Sequence, residues 1–361
     1  MKIIVVGTGH AWTKFYQASI AALETTNQLK LLGVVDPVSD PGTLPEGVWW
    51  VNTTEDIPYE AVAPDVAVMI LTPDHYSVIE ALAQTGFKNI ICEKPLVSRK
   101  DEIGKVKDLV ERYGLKLYAI DFYLPKTLPL QVMLGLIGPD DPRYHWLSIS
   151  HSGADFTEML GDIEGVGVQV IEAGDFCLPD IAGRPYLATD KQIGGMILDL
   201  ITHVCGPLHQ AQLLNGWEVL DASLSRLSSI TTGHLVPVRD TAREVEMYVT
   251  ALLSANGIPI QLSLGKVPIE RGGLWSLEVR GTKGAYYAGL RTGQPSVLLS
   301  KEGTVTFLLK MTPYEFVLRE ALFYFDGELP QGFDGNFGAF VTSMQVGEGI
   351  IARYTRNLSL Y

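Results

Sequence analysis

Residues 2–12 read KIIVVGTGHAW, and this stretch decides the fold of the first third of the chain. A short aliphatic run ends at Gly7, and Gly9 follows where a helical pattern begins. In doubly wound α/β proteins the first strand turns into its helix through such glycines, and the helix N-terminus then receives a pyrophosphate. Trp12 occupies the third position of the fingerprint, where glycine or alanine is usual, so a glycine turn without a ligand stays an alternative.

The same alternation of buried strand and helix continues to about residue 122. The aliphatic runs predict strands at 2–6, 29–36, 65–73, 88–95 and 115–122. The amphipathic stretches between them predict helices at 12–25, 75–86 and 98–114. Strands without polar alternation are buried on both faces, and with intervening helices they form a doubly wound parallel sheet. We therefore predict an NAD(P)-binding Rossmann domain over residues 1–122.

The pattern changes in the remainder of the chain, residues 123–361. Runs with alternating polarity predict strands at 144–151, 244–265, 275–289 and 296–309, and Asn256-Gly257 is a strong hairpin signal. Helical patterns are sparse, with one around 194–213 and one or two after 313. This half is expected to be an α+β domain for substrate binding and oligomerisation, built on a large, mostly antiparallel sheet.

The composition limits the possible partners. The net charge of −13 argues against a nucleic-acid or anionic-membrane surface, since both require a positive patch. The three cysteines form no CxxC pair, which favours a reducing cytoplasm over a disulfide framework. The first apolar run has four residues, too few for a signal-peptide core, and no stretch predicts a membrane span.

An acidic residue ends the second predicted strand. Asp36 closes the run LKLLGVVD (29–36) and lies 27 residues beyond Gly9. A carboxylate at this place accepts hydrogen bonds from the ribose hydroxyls of a dinucleotide and repels a 2′-phosphate. Asp36 therefore favours NAD as cofactor, with NADP as the alternative.

Two further stretches carry polar groups in apolar surroundings. ICEKPL (91–96) brings Glu93 and Lys94 to the carboxyl end of a parallel strand, the edge where open α/β sheets bind ligands. GGMILDLITH (194–203) spaces Asp199 and His203 four residues apart, hence on one face of a helix. Taken alone, this pair is more often a buried polar contact, and a metal site with His209 nearby is a further alternative.

Taken in order, these motifs resemble the Gfo/Idh/MocA oxidoreductase family. The resemblance rests on VVGTGH (5–10), VVDP (34–37), TPD (72–74), EKP (93–95), GGMILDLITH (194–203) and LEVRGTKGA (277–285). The chain departs from the family pattern at Ser77, where a histidine is common and where His75 lies two residues earlier. It departs again at IDFYLPK (120–126), where asparagine and arginine are common.

The resemblance implies a set of site residues, and no further cluster of ligands in the sequence supports a metal. The catalytic group that it implies is Lys94, Asp199 and His203. The cofactor-binding group comprises Gly7, Thr8, Gly9, His10, Trp12, Asp36, Thr72, Pro73, Glu93 and Lys94. Tyr123 and Lys126 are unusual contributors to the substrate pocket, and Lys191 is a candidate contact for an anionic group of the substrate.

The implied function is hydride transfer between nicotinamide and a secondary alcohol or ketone of a sugar, polyol or cyclitol. Histidine titrates near neutral pH, which suits His203 to act as base in oxidation and as acid in reduction. Lys94 would stabilise charge on the same oxygen, and Asp199 would bind a neighbouring hydroxyl. Two alternatives remain, a catalytically silent NAD- or sugar-sensing regulator and a reductase of a non-sugar substrate.

One stretch of the second domain predicts that the chain forms an oligomer. The stretch VEMYVTALLSA (245–255) is apolar on both alternations, as in a sheet that is covered on both faces. We therefore expect a homodimer or homotetramer formed through the C-terminal sheet.

Overall fold

The computed structural model describes residues 1–37, 44–97, 100–151, 155–173, 195–225, 230–231, 234–235, 248–267, 274–289 and 293–358. By internal packing the chain divides into two compact units, residues 1–122 with 311–337 and residues 123–310 with 338–361. The first unit contains a six-stranded sheet and the second a nine-stranded sheet. The predicted fold class is confirmed.

The sheet of the first unit is parallel and has the strand order β3-β2-β1-β4-β5-β6. Its strands are β1 Lys2–Val6, β2 Lys30–Val35, β3 Trp49–Val51, β4 Val66–Ile70, β5 Asn89–Glu93 and β6 Lys116–Ile120. Every residue of β4 and β5 is buried, which explains why their sequences are continuous apolar runs. The short edge strand β3 was not predicted.

Helices connect these strands, as predicted. A π-helical turn, Trp12–Tyr16, leads into α1 Gln17–Thr25 and is followed by α2 His75–Thr85 and α3 Lys100–Tyr113. Short 3-10 turns lie at Thr54–Asp56 and Tyr59–Ala61. Asp74 caps the N-terminus of α2, because its side chain accepts a hydrogen bond from the Ser77 N–H, and Gly86 follows the helix in the left-handed conformation.

The sheet of the second unit has the order β7-β17-β16-β15-β14-β8-β13-β12-β9. Its strands are β7 Leu147–His151, β8 Ile163–Ala173, β9 Trp217–Ser225, β12 Tyr248–Ala255, β13 Ile258–Val267, β14 Leu274–Gly281, β15 Gly284–Tyr287, β16 Ser296–Ser300 and β17 Gly303–Leu309. A separate pair is formed by β10 Ile230–Thr231 and β11 His234–Leu235. Among the described pairs of the large sheet, only β8 and β13 run parallel.

Helices cover one face of this sheet. Helix α4 is Leu128–Met133, preceded by a 3-10 turn at Leu124–Thr127, and further 3-10 turns lie at Pro142–Trp146 and Phe156–Glu158. The predicted helix around 194–213 is α5, Gly195–Gln210, which packs against β8, β12 and β13. The residues of the strands beneath α5 alternate between the two faces of the sheet, and Val168 and Leu262 are on the buried face.

The last part of the chain contributes to both units. Helix α6, Pro313–Asp326, belongs to the first unit, where the Tyr118 hydroxyl of β6 donates a hydrogen bond of 2.6 Å to Glu320. The Ala119 N–H donates to the Gly335 carbonyl at 2.8 Å, so this segment pairs with the edge strand β6. The division into 1–122 and 123–361 stays a prediction of domain organisation, and it did not anticipate the packing of residues 311–337 with the first unit.

The final helix is α7, Phe337–Leu358, of which all but the first residue belongs to the second unit. It approaches α5 closely, because a Cβ atom added at Gly347 would lie 2.6 Å from the Ile197 side chain. None of the helices in the described parts of the chain is long and apolar enough to cross a membrane.

Candidate functional site

The glycine turn after β1 is tight at Gly7 and open at Gly9. Gly7 has a φ of +95°, and a Cβ atom there would lie 3.0 Å from the Thr72 backbone nitrogen. A larger residue is therefore excluded both by the conformation and by the space. Gly9 is exposed, and a Cβ atom added to it would meet nothing within 4 Å. The turn thus offers bare backbone at the start of a helical segment, which suits a pyrophosphate.

Asp36 braces this turn. Its Oδ2 accepts hydrogen bonds from both the backbone N–H and the hydroxyl of Thr8, each at 2.7 Å. Asp36 and Thr8 are both buried. Sequence reasoning assigned Asp36 to the ribose alone, because a contact between residues 28 positions apart leaves no local signal.

The remaining predicted cofactor residues of the turn region differ in exposure. His10 is exposed, and its ring lies edge-on to Phe15 at 5.9 Å between centroids. Trp12 is 5% exposed, so its side chain belongs to the packed interior of the first unit. Thr72 is half-buried and Pro73 is exposed, both in the loop after β4.

The EKP turn is held through its glutamate. Glu93 ends β5, and its carboxylate accepts a hydrogen bond from the Tyr16 hydroxyl at 2.7 Å and one from the Lys94 backbone N–H at 2.5 Å. Burial raises the pKa of Glu93, while the Lys94 ammonium and the Tyr16 hydrogen bond oppose that rise. The Lys94–Pro95 peptide bond is cis, and Lys94 is half-buried.

A histidine holds the other side of the same turn. His75 is the first residue of α2 and is 3% exposed. Its Nδ1–H donates to the Pro95 carbonyl at 2.6 Å. Burial lowers the pKa of His75 to about 4, so the imidazole is neutral at neutral pH. Tyr16 and His75 therefore fix the two ends of the turn that presents Lys94, and neither was predicted as a site residue.

An aromatic cluster covers the Tyr16 side of the turn. The Tyr314 ring of α6 stacks on Phe15 at 4.9 Å and meets the Tyr16 ring edge-on at 5.5 Å. Burial raises the pKa of Tyr16 well above its usual value, and the neighbouring Glu93 carboxylate adds to the effect. No sequence signal could have shown the role of Tyr314, because it reaches Tyr16 only after the chain returns to the first unit.

Asp199 and His203 lie in the second unit, on one face of α5, and are 1% and 0% exposed. Pro207 is inside the same helix, four residues after His203. Since proline has no N–H, it cannot make the helical hydrogen bond to the His203 carbonyl. The Trp275 indole N–H of β14 donates to that carbonyl instead, at 3.1 Å.

Two of the predicted substrate residues lie beside His203. The Tyr123 ring meets the His203 ring at 4.6 Å between centroids and stacks on Trp275 at 5.2 Å. Lys126 is 8% exposed, and its Nζ lies 5.1 Å from the Tyr123 centroid and 4.9 Å from the Trp275 centroid. Trp275, which was not predicted as a site residue, therefore lies in one cluster with Tyr123, Lys126 and His203. Lys191 lies outside the described residues.

The predicted catalytic residues belong to different units. Lys94 is in the first unit, and Asp199 and His203 are in the second. Among the described residues, no group of three or more His, Cys, Asp or Glu side chains could hold a metal ion. Cys92 and Cys205 are free and buried, and burial raises the pKa of both thiols.

Comparison with known proteins gives matches of two kinds. The Gfo/Idh/MocA family model, described as an oxidoreductase family with an NAD-binding Rossmann fold, matches residues 1–121. Comparison with the curated proteins gives no match. Solved structures match nearly the whole chain at low identity, and an oxidoreductase from Thermotoga maritima is 12% identical with a TM-score of 0.72, covering 98% of this chain and 96% of that one.

Two further structures of this fold contain bound ligands. The WlbA dehydrogenase of Chromobacterium violaceum, in complex with NADH and UDP-GlcNAcA, is 16% identical with a TM-score of 0.69, and the match covers 99% of this chain and 94% of that one. KijD10, a 3-ketoreductase from Actinomadura kijaniata in complex with NADP and TDP-benzene, is 16% identical with a TM-score of 0.65 and 94% coverage of both chains. At these identities the likeness shows the fold. The family match lies in residues 1–121, the part of the chain that matches an NAD-binding Rossmann fold.

Proposed function

We propose that the protein is an NAD(P)-dependent oxidoreductase that transfers hydride between nicotinamide and a CH–OH or C=O group of a sugar, polyol or cyclitol. The observation that carries this proposal lies in the first unit. Residues 1–121 match an oxidoreductase family with an NAD-binding Rossmann fold, and the fifth strand ends in an EKP turn that Tyr16 and His75 hold by hydrogen bonds. Two structures of the same fold support the substrate class, because they were solved with sugar-nucleotide or related nucleotide ligands.

The residues of the first unit fit a dinucleotide. Gly9 leaves open space in front of exposed backbone, and Gly7 permits the turn that brings this backbone to the start of the helical segment. When bound, the nicotinamide accepts or supplies the hydride. The side chains and backbone of the protein then bind the pyrophosphate, orient the ribose, and control the proton and the charge at the substrate oxygen.

We assign the handling of the proton and the charge at the substrate oxygen to three side chains. His203 takes the hydroxyl proton in oxidation and returns it in reduction. Lys94 donates a hydrogen bond to the same oxygen and stabilises its negative charge. Asp199, one helical turn before His203, accepts a hydrogen bond from a neighbouring substrate hydroxyl. Tyr123 is proposed to contact the apolar face of the substrate ring, since its own ring already lies against His203.

The experiment that tests this function measures NADH formation or loss with a panel of sugars, polyols and sugar nucleotides. Lys94→Ala and His203→Ala should each lower turnover by at least about a hundredfold. The matched controls are Lys107→Ala and His145→Ala, because both side chains are exposed. Wild-type turnover in both test variants would refute the assigned roles. NADH binding without turnover by the wild-type protein across the panel would favour the sensing regulator.

We also propose NAD rather than NADP as the preferred cofactor, on the strength of Asp36. Asp36→Ser should lower the ratio of kcat/KM for NAD to that for NADP by at least about tenfold, because the carboxylate no longer repels a 2′-phosphate. Thr8→Ala removes one of the two hydrogen bonds to Asp36 and leaves its charge, so it should lower both rates alike. An unchanged ratio in Asp36→Ser would show that this carboxylate only braces the turn.

The face of the nine-stranded sheet opposite α5 is proposed to bind a second copy of the chain. Its outward positions expose large apolar side chains at 38–44% of their surface, namely Leu252, Leu274, Tyr287, Leu299 and Leu308. Light scattering should show a dimer or tetramer that Leu252→Lys with Leu299→Lys dissociates. Leu136→Lys, at an equally exposed leucine outside the sheet, is the control. A wild-type monomer would refute this proposal.

A further inference from the structure

We propose that Trp275 is a positioning residue for His203, because its indole N–H replaces the helical hydrogen bond that Pro207 removes. The inference rests on the proposed function in that His203 is taken as the acid–base residue. The structural relation among the three residues is independent of that assignment.

Pro207 removes one hydrogen bond from helix α5. In an α-helix the carbonyl of one residue accepts from the N–H four positions later, and for His203 that position is Pro207. A proline inside a helix supplies no N–H, and its ring also crowds the carbonyl four residues earlier. The His203 carbonyl is therefore deprived of its usual donor, although the residue is fully buried. A buried carbonyl without a donor is costly, so this arrangement requires one from elsewhere.

The Trp275 indole is the donor that the His203 carbonyl receives from the sheet. Trp275 lies on β14, is 3% exposed, and places its Nε1 at 3.1 Å from the His203 oxygen. It comes from a strand 72 residues away in the sequence, so the bond ties the helix to the sheet at the residue that carries the imidazole. Trp275 pairs with Val170 of β8 in the sheet, so its backbone is held beside that strand.

The His203 ring is supported through the ring of Tyr123. Trp275 stacks on Tyr123 with ring planes 16° apart, and Tyr123 in turn meets the His203 ring at 63°. The indole therefore supports His203 at two points, its backbone carbonyl through the N–H and its ring through Tyr123. Lys126 rests its ammonium near the same indole, which adds a third side chain to this support.

Because Pro207 creates the need for the Trp275 donor, substitutions at these two residues test the inference together. Trp275→Phe keeps a stacking ring but removes the donor, and it should lower kcat about tenfold while KM for NADH changes less than about twofold. In the double variant with Pro207→Ala, residue 207 regains an N–H for the His203 carbonyl, so most of the lost kcat should return. Trp217→Phe, at a half-buried tryptophan of β9, is the matched control and should leave kcat unchanged.

A second readout needs no substrate. The ring-proton NMR signal of His203, identified by its loss in His203→Asn, should shift and broaden in Trp275→Phe and recover in the double variant. An unchanged signal in Trp275→Phe, or no recovery with Pro207→Ala, would overturn the inference. If His203→Asn instead kept full turnover while the signal behaved as expected, the acid–base role would fall and the positioning role would stand.

Discussion

Two buried histidines, His75 in the first unit and His203 in the second, differ in how the chain holds them. His75 uses its own ring nitrogen to bind the Pro95 carbonyl, and burial keeps it neutral. His203 is anchored through its backbone carbonyl, and its ring lies against Tyr123. Under the proposed function, His75 supports the EKP turn and His203 acts on the substrate. Residue type and burial are the same in both cases, and the two histidines differ in the contacts that hold them.

The largest effect should distinguish the two histidines by rate. His203→Asn should lower kcat by about a hundredfold to ten-thousandfold, the usual contribution of a general acid or base. His75→Asn should lower kcat by less than about tenfold, because it disturbs only the support of the EKP turn. Steady-state kinetics on one identified substrate measures both, and equal losses would remove the distinction.

The next effect concerns stability. His75→Ala removes a buried ring and leaves the Pro95 carbonyl without this donor, so the free energy of unfolding should fall by about 3 kcal/mol. Urea unfolding followed by tryptophan fluorescence measures the change. His145→Ala, at an exposed histidine, should stay within about 0.5 kcal/mol of the wild type. A loss at His75 no larger than this would show that the turn does not need the histidine.

A smaller effect should appear in the pH dependence of stability. His75 has a pKa lowered to about 4 in the folded protein against 6.5 in the unfolded chain. Below the higher value the unfolded chain binds the additional proton, so stability falls as the pH drops from 6.5 towards 4. Between about pH 7 and pH 5 the wild type should lose about 2 kcal/mol more than His75→Gln. Parallel pH curves for the two proteins would contradict the lowered pKa.

The smallest effect tests the other support of the EKP turn. Tyr16→Phe removes the hydroxyl that binds the Glu93 carboxylate, and it should cost about 1.5 kcal/mol at neutral pH. The cost should shrink at acid pH, because a protonated Glu93 needs this donor less. Tyr314→Phe, whose ring packs on the same cluster, is the control and should cost less. A loss that is independent of pH would show that Tyr16 acts through packing alone.

Much of the first unit could be predicted, because its signals are local. The continuous apolar runs of β1, β4 and β5 follow from strands buried on both faces, and Gly7 follows from a turn with positive φ. The contact between Thr8 and Asp36 and the bond from Tyr16 to Glu93 could not be predicted. They join residues 28 and 77 positions apart, and neither leaves a periodic pattern.

In the second unit the elements were predictable but their arrangement was not. Polar alternation and the Asn256-Gly257 turn indicate β12 and β13, and the spacing of Asp199 and His203 indicates one helical face. The parallel pairing of β8 with β13 depends on packing between segments that are far apart in the chain. The same is true of the Trp275 donor.

By itself the sequence determined which segments become strands and helices, where the glycine and EKP turns lie, and which polar residues enter apolar stretches. These properties depend on backbone preference and hydrophobic periodicity over a few residues. Only the tertiary structure decided which groups satisfy the buried polar atoms: Thr8 for Asp36, Tyr16 for Glu93, Pro95 for His75 and Trp275 for His203. The physical reason is that a buried polar atom requires a partner, but the partner is whichever segment the packing of the whole chain brings within hydrogen-bond distance.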